Sequence, residues 1–75
     1  MKRKKIRLLS VHDVMLFQKC AECVHGEVTV IKGRFEVNGK SLLGLLSLDV
    51  VSGIEVVYPE RAKEFEQFLI TFENL

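Results

Sequence analysis

The sequence has one proline, two cysteines and no tryptophan in 75 residues, and it has no long apolar run. No stretch approaches the roughly 18 consecutive apolar residues of a membrane span, so we expect none. The apolar run after the basic start ends at Leu9, and we therefore expect no export signal. Hydrophobic residues make up 48% and charged residues 28% of the chain, which excludes a disordered or low-complexity protein. We expect a single cytoplasmic domain over residues 1–75.

The two cysteines are predicted to be free thiols, because a chain without an export signal stays in a reducing compartment. Cys20 and Cys23 form a C-x-x-C pattern near the end of a predicted helix, and His25 follows. A structural zinc site needs a fourth ligand, and there is no second cysteine pair. A thioredoxin-like motif would precede a helix rather than end one. We expect no metal and no cofactor, and we interpret both cysteines as small, half-buried helix residues.

Basic residues are concentrated at the start of the chain, where five of the eleven lie within residues 2–7. Such a run could contact the phosphates of nucleic acid. However, no aromatic side chain is interleaved with it to stack on bases. We predict that the run forms a solvated strand whose charges protect a sheet edge, and we do not expect nucleic-acid binding.

The strands are predicted from alternating apolar residues and turn signals. Residues 4–9 form a first strand with Ile6 and Leu8 on one face. Residues 27–31 and 34–37 form a hairpin around Lys32-Gly33. Asn38-Gly39 makes a second turn, and residues 54–58 alternate as a fourth strand.

The helices are predicted from caps and from apolar residues at helical spacing. Ser10 caps the first helix, Asp13 reaches back to the backbone N–H of Ser10, and Gly26 takes the C′ position. Ser41 caps a short helix over residues 42–48, and Pro59 begins a final helix. The predicted buried stripe of the first helix is Val14, Phe17, Ala21 and Val24, and that of the last is Ala62, Phe65, Leu69 and Phe72, widened by Phe68. The expected fold is α+β, in the order β-α-β-β-α-β-α, with a four-stranded antiparallel sheet and three helices on one face.

The segment Lys40-Ser-Leu-Leu-Gly-Leu-Leu-Ser-Leu48 resembles the regulatory segment of HPr, the histidine phosphocarrier of the bacterial sugar phosphotransferase system. HPr proteins typically have Lys-Ser, two apolar residues, Gly, two more apolar residues and Ser-Leu there, within the element order just predicted. The resemblance runs without gaps from about Ser10 to Ser52 and extends more loosely to both ends. It implies an HPr-like open-faced β-sandwich.

The resemblance aligns the phosphate-accepting histidine of the family with Ser10, its arginine with His12 and its proline with Asp13. Serine has no imidazole nitrogen, and Asp13 brings a negative charge to the place where the phosphate would bind. We therefore expect no competent phosphohistidine site and no enzyme activity. The alternative is that a two-residue shift brings His12 into the histidine's place, so that the chain relays phosphate through His12.

The helix at 42–48 carries the predicted regulatory and partner-binding residues. Ser41 matches the serine that a dedicated kinase phosphorylates in HPr of many Gram-positive bacteria, although its role as a helix cap would also explain a serine there. Five leucines cannot all face inward on so short a helix, and we expect Leu43 and Leu46 to be exposed. In the family this helix and the first one dock protein partners. Leu42, Leu43, Leu46 and His12 are therefore the candidate binding residues, for other phosphotransferase-system or regulatory proteins or for a homodimer.

Overall fold

The three-dimensional structure, a computed structural model, describes residues 1–73. Its elements are β1 (Lys2–Ile6), α1 (Val11–Glu22), β2 (Thr29–Lys32), β3 (Phe35–Asn38), α2 (Leu42–Leu46), β4 (Ile54–Tyr58) and α3 (Lys63–Ile70). This is the predicted order β-α-β-β-α-β-α. Within these residues no helix combines the length and the apolar character that crossing a membrane requires.

The four strands form one antiparallel sheet in the order β1-β4-β2-β3, so that β1 and β3 are its edges. The predicted fourth strand is confirmed at β4, where the alternate residues Ile54, Val56 and Tyr58 are buried. The predicted hairpin is also confirmed, with its strands shifted one or two residues along the chain. Gly33 lies in its turn with φ +60, a backbone angle that glycine adopts most readily.

The three helices cover one face of the sheet and enclose the core. The predicted stripe of α1 is confirmed, because all four of its residues are buried. Phe65 and Leu69 of α3 are also buried, while Ala62, Phe68 and Phe72 are only partly buried against the same core. Phe65 joins the layers, since its ring meets those of Phe17 and Tyr58 edge-on at centroid distances of 5.5 and 5.7 Å. These ring contacts keep the Phe17 side of α1 turned toward the core.

The first strand differs from its prediction, because β1 spans Lys2–Ile6 rather than residues 4–9. Its pairing with β4 stops at Ile6. Leu8 lies beyond the strand but is fully buried, and its backbone N–H donates to the carbonyl of Val50 at 3.2 Å. The alternation in the sequence therefore identified the buried residues, whereas the length of the partner strand sets the end of β1.

The end of α1 also differs from its prediction. The helix ends with Cys23 as its C-cap. Cys23 has a right-handed helical conformation, and its backbone N–H donates to carbonyls of the last turn. Gly26 is therefore not the C′ residue. It lies in the following loop with φ +117, and a Cβ there would approach the Pro59 side chain to 3.1 Å. The positive φ and the close approach of Pro59 explain why position 26 is a glycine.

The other two helices are shorter than predicted. α2 ends at Leu46, with Ser47 as its C-cap, rather than at residue 48. α3 begins at Lys63 rather than Pro59. Residues 59–62 form a turn in which the Ala62 N–H donates to the Pro59 carbonyl at 3.1 Å. Ala62 has ψ +66, outside the helical region, so the helix starts only after it.

Candidate functional site

The start of α1 is a reciprocal cap made by Ser10 and Asp13. Ser10 is extended, with φ −149 and ψ 165, and its Oγ accepts a hydrogen bond from the Asp13 N–H at 3.1 Å. The Asp13 Oδ2 atom accepts from the Leu9 N–H, also at 3.1 Å, rather than from the Ser10 N–H as predicted. The carboxylate thus bonds to the residue before the one that was predicted. Each side chain satisfies a backbone donor at the entry to the helix.

This cap fixes the chemistry of the helix start. Ser10 offers a hydroxyl that already accepts a hydrogen bond, and the half-buried Asp13 places a carboxylate at the positive end of the helix. An anion approaching these N–H groups would meet that carboxylate at short range. The helix start therefore holds an acidic side chain of its own.

His12 is exposed in the first turn of α1, two residues after Ser10. The helix is oriented so that Val14 and Phe17 are buried. A two-residue shift would rotate the helix by about 200° and bring both of those side chains toward solvent. The described structure thus keeps Ser10, not His12, at the position that caps the helix.

Ser41 caps α2, as predicted. Its backbone is extended, with φ −100 and ψ 110, and its Oγ accepts from the Gly44 N–H at 3.1 Å. Gly44 faces β3, where a Cβ would lie 3.1 Å from the Cβ of Val37. The glycine therefore lets α2 pack closely on the sheet edge.

The leucines of α2 divide between the core and solvent as predicted. Leu45 is fully buried, whereas Leu43 is 83% exposed, Leu46 48% and Leu42 36%. We call Leu42, Leu43 and Leu46 the α2 patch. The prediction that Leu43 and Leu46 are exposed is confirmed.

Two hydrogen bonds fix α2 relative to α1, against which it packs. The Lys40 ammonium donates to the Val24 carbonyl at 2.7 Å, and the Gln18 amide donates to the Lys40 carbonyl at 2.8 Å. Both are partly buried and join the end of α1 to the loop before α2. These two hydrogen bonds therefore set the position of α2 relative to α1.

Sequence reasoning missed three exposed apolar residues on α1. Val11 is 62% exposed, and Met15 and Leu16 are also exposed. Val11 and Met15 are four residues apart and lie outside the buried stripe, which is the signal that could have identified them. The exposed apolar surface of the two helices is therefore larger than the leucines of α2 alone.

The basic strand β1 is largely paired with acidic residues of the same chain. A Glu66 carboxylate oxygen lies 2.6 Å from the Lys2 ammonium, and Arg3 contacts Glu55 at 3.0 Å. Lys4 contacts Glu73 at 3.1 Å. Three of the five cations of the run are therefore compensated within the domain, as suits a charged edge strand.

The Lys2–Glu66 pair also includes a buried tyrosine. The Tyr58 hydroxyl donates to Glu66 at 2.8 Å, and burial raises the pKa of Tyr58 well above its usual range. The hydrogen bond from Lys2 lowers the pKa of Glu66, and the one from Tyr58 acts in the same direction. The network joins β1, β4 and α3.

Comparison with known proteins identifies the fold. No protein-family model matches the chain, and no curated protein matches it significantly. Among solved structures, HPr-C-His from Thermoanaerobacter tengcongensis matches with a TM-score of 0.78 and 23% identity, over 95% of this chain and 89% of that one. The phosphocarrier protein HPr from Bacillus anthracis str. Ames matches with a TM-score of 0.69 and 21% identity, over 97% and 96%. The chain has the HPr fold.

A second feature of this HPr fold lies at the other end of α1. Cys20 is half-buried, and Cys23 is exposed rather than half-buried as predicted, because it caps the helix instead of lying within it. Both are free thiols, and both line a cavity of about 590 Å³ between the end of α1 and the start of α3. Burial raises the pKa of Cys20, and the nearby Cys23 adds to that rise. Within residues 1–73 no three histidine, cysteine or acidic side chains lie close enough to share a metal ion.

Proposed function

We propose that the chain is an HPr-like protein of the bacterial sugar phosphotransferase system that has lost the histidine relay and regulates sugar transport by binding proteins in the cytoplasm. The observation that carries the proposal is the cap at the start of α1. The resemblance to HPr aligns the phosphate acceptor with Ser10, whose hydroxyl is bonded to the Asp13 N–H. In this reading the chain is a regulatory paralogue and not an enzyme.

The chemistry of the two residues supports the loss of the relay. A reversible phosphohistidine needs an imidazole nitrogen, and Ser10 supplies only a hydroxyl. Asp13 adds repulsion, because two unit negative charges 4 Å apart interact by about 4 kcal/mol at the effective dielectric of a protein surface. The N–H group of Leu9 is moreover already bonded to that carboxylate.

The α2 patch is the proposed partner-binding surface, with His12 on the neighbouring helix. Neighbouring exposed apolar side chains that form one patch on a small domain mark a site of protein interaction. Other phosphotransferase-system or regulatory proteins are the proposed partners, and a second copy of the chain is the alternative occupant. Nucleic acid is not proposed, since Lys2, Arg3 and Lys4 are paired within the domain.

Ser41 is the proposed regulatory position. Ser41 is only half-buried and lies at the start of α2, next to the α2 patch. A phosphate there would add negative charge at the edge of that apolar surface and change what it binds. The competing explanation is that Ser41 serves as a cap alone.

The test of the lost relay is incubation of the full chain with the general phosphotransferase enzyme and labelled phosphoenolpyruvate. We expect no acid-labile phosphate on the protein, while an authentic HPr in the same reaction is labelled. Stoichiometric label that disappears in His12→Ala would instead establish the alternative, a phosphocarrier working through His12. The exposure of His12 in the first turn is the observation that keeps this alternative open.

The test of the binding surface is calorimetric titration with the same enzyme, and sedimentation for self-association. Leu43→Ala and Leu46→Ala should each weaken the interaction that the parent shows. A Lys19→Ala variant, on the exposed surface of α1, is the control for a general surface effect. Equal binding by parent and both leucine variants would contradict the proposed surface.

A further inference from the structure

The cavity between α1 and α3 holds a pair of thiols that the proposed function does not use. Cys20 and Cys23 are three residues apart at the end of α1 and line the same cavity. Residues at this spacing lie on one helix face, with their Cβ atoms about 5–6 Å apart. The two sulfur atoms can therefore point toward a common space, and neither forms a disulfide.

The number of donors decides which ion this space suits. Zinc in structural sites takes four ligands, and no group of three metal-binding side chains occurs within residues 1–73. His25 lines the cavity but does not complete such a group. Soft thiolate sulfur favours univalent copper. As a d¹⁰ ion of low charge, copper(I) forms stable linear complexes with only two ligands. A two-sulfur site therefore matches copper(I) and not zinc.

The charges around the cavity favour the same kind of complex. Two thiolates and one univalent cation carry a net charge of −1. Arg61 and Lys63 line the cavity with Glu64, so that these three groups contribute a net charge of +1. Within residues 1–73 neither cation takes part in an ion pair. The C-terminal end of α1 carries the negative end of the helix dipole, which disfavours thiolates there. The positive charges of Arg61 and Lys63 offset this effect.

We propose that Cys20 and Cys23 form a two-coordinate binding site for a soft univalent metal ion, of which copper(I) is the physiological example. Binding converts both thiols to thiolates, forms two metal–sulfur bonds and releases two protons to solvent. The cations at the cavity hold the resulting anionic complex. The site is about one helix length from the Ser10 cap, and no residue of the α2 patch lines its cavity.

The test is anaerobic competition for copper(I) between the full-length reduced protein and a chromophoric copper(I) chelator, with native mass spectrometry for stoichiometry. We expect one ion per monomer. Cys20→Ser and Cys23→Ser should each lower the affinity at least about 100-fold, since loss of an outer-sphere contact alone costs about 10–100-fold. Arg34→Ala, at an exposed position in the turn between β2 and β3, is the control and should bind like the parent. Zinc(II) should not compete.

Three outcomes would overturn the site. One is parental copper(I) affinity in either single-cysteine variant, and another is an ion bridging two chains. The third is binding no tighter than that of the double variant that lacks both thiols. Cys23 is exposed, so its replacement leaves the fold intact even if the half-buried Cys20 cannot be changed. A further variant, Arg61→Ala with Lys63→Ala, should lower the affinity about threefold to tenfold by removing the compensating charge.

Discussion

Two leucines of α2 provide a matched pair of substitutions. Leu45 is fully buried and Leu43 is 83% exposed, although they are two residues apart on one helix. Leu45→Ala removes a core side chain and should destabilise the domain by about 3 kcal/mol, within the range for buried leucines. Leu43→Ala removes surface contacts only and should change the free energy of unfolding by less than about 0.5 kcal/mol. The same substitution at the two positions thus compares the loss of a core side chain with the loss of a surface side chain.

Urea denaturation followed by circular dichroism measures the difference. For a domain of this size the free energy of unfolding falls by about 1 kcal/mol per molar urea. The Leu45→Ala midpoint should therefore fall by about 3 M and the Leu43→Ala midpoint by less than about 0.5 M. If the domain has the usual stability of at least about 5 kcal/mol, the Leu45 variant stays folded in water. Equal losses at both positions would refute the division of α2 into a buried and an exposed face.

Two further predictions concern side chains at helix and sheet ends. Ser41→Ala should destabilise the domain by about 1 kcal/mol, because the Gly44 N–H loses its acceptor; an unchanged urea midpoint would show that the cap contributes nothing. The pKa of Glu66 is lowered in the folded state by Lys2 and Tyr58, so its contribution is present above the ordinary glutamate pKa and is lost as the pH falls through the lowered value. Urea midpoints measured from pH 6 down to pH 2 should therefore decline less steeply in Glu66→Gln than in the parent, and parallel curves would contradict this.

Local signals in the sequence predicted much of the fold. The stripe of α1 and the alternation of β4 follow from the periods of helix and strand, and both are buried as expected. The caps at Ser10 and Ser41 were predictable as well, because each needs only a hydroxyl three residues before the N–H it accepts. These features depend on neighbours in the sequence.

Features that depend on distant residues were not predictable. Pro59 suits a helix start, but the turn it begins places the start of α3 at Lys63. The Lys2–Glu66 contact joins the first strand to the last helix, and nothing in either segment specifies the other. The cavity beside Cys20 likewise forms only when α3 packs near the end of α1. The candidate residues of the first two helices and the C-x-x-C pair were visible in the sequence, whereas the cavity and the α3 residues that line it were not.

The most direct test of the lost relay compares the parent with a variant that restores the family motif. The triple substitution Ser10→His, His12→Arg and Asp13→Pro supplies the imidazole and removes the carboxylate from the helix start. With the general phosphotransferase enzyme and labelled phosphoenolpyruvate, we predict no acid-labile phosphate on the parent and close to one phosphate per chain on the variant. A labelled parent, or a folded variant that stays unlabelled although it binds the enzyme, would contradict the account.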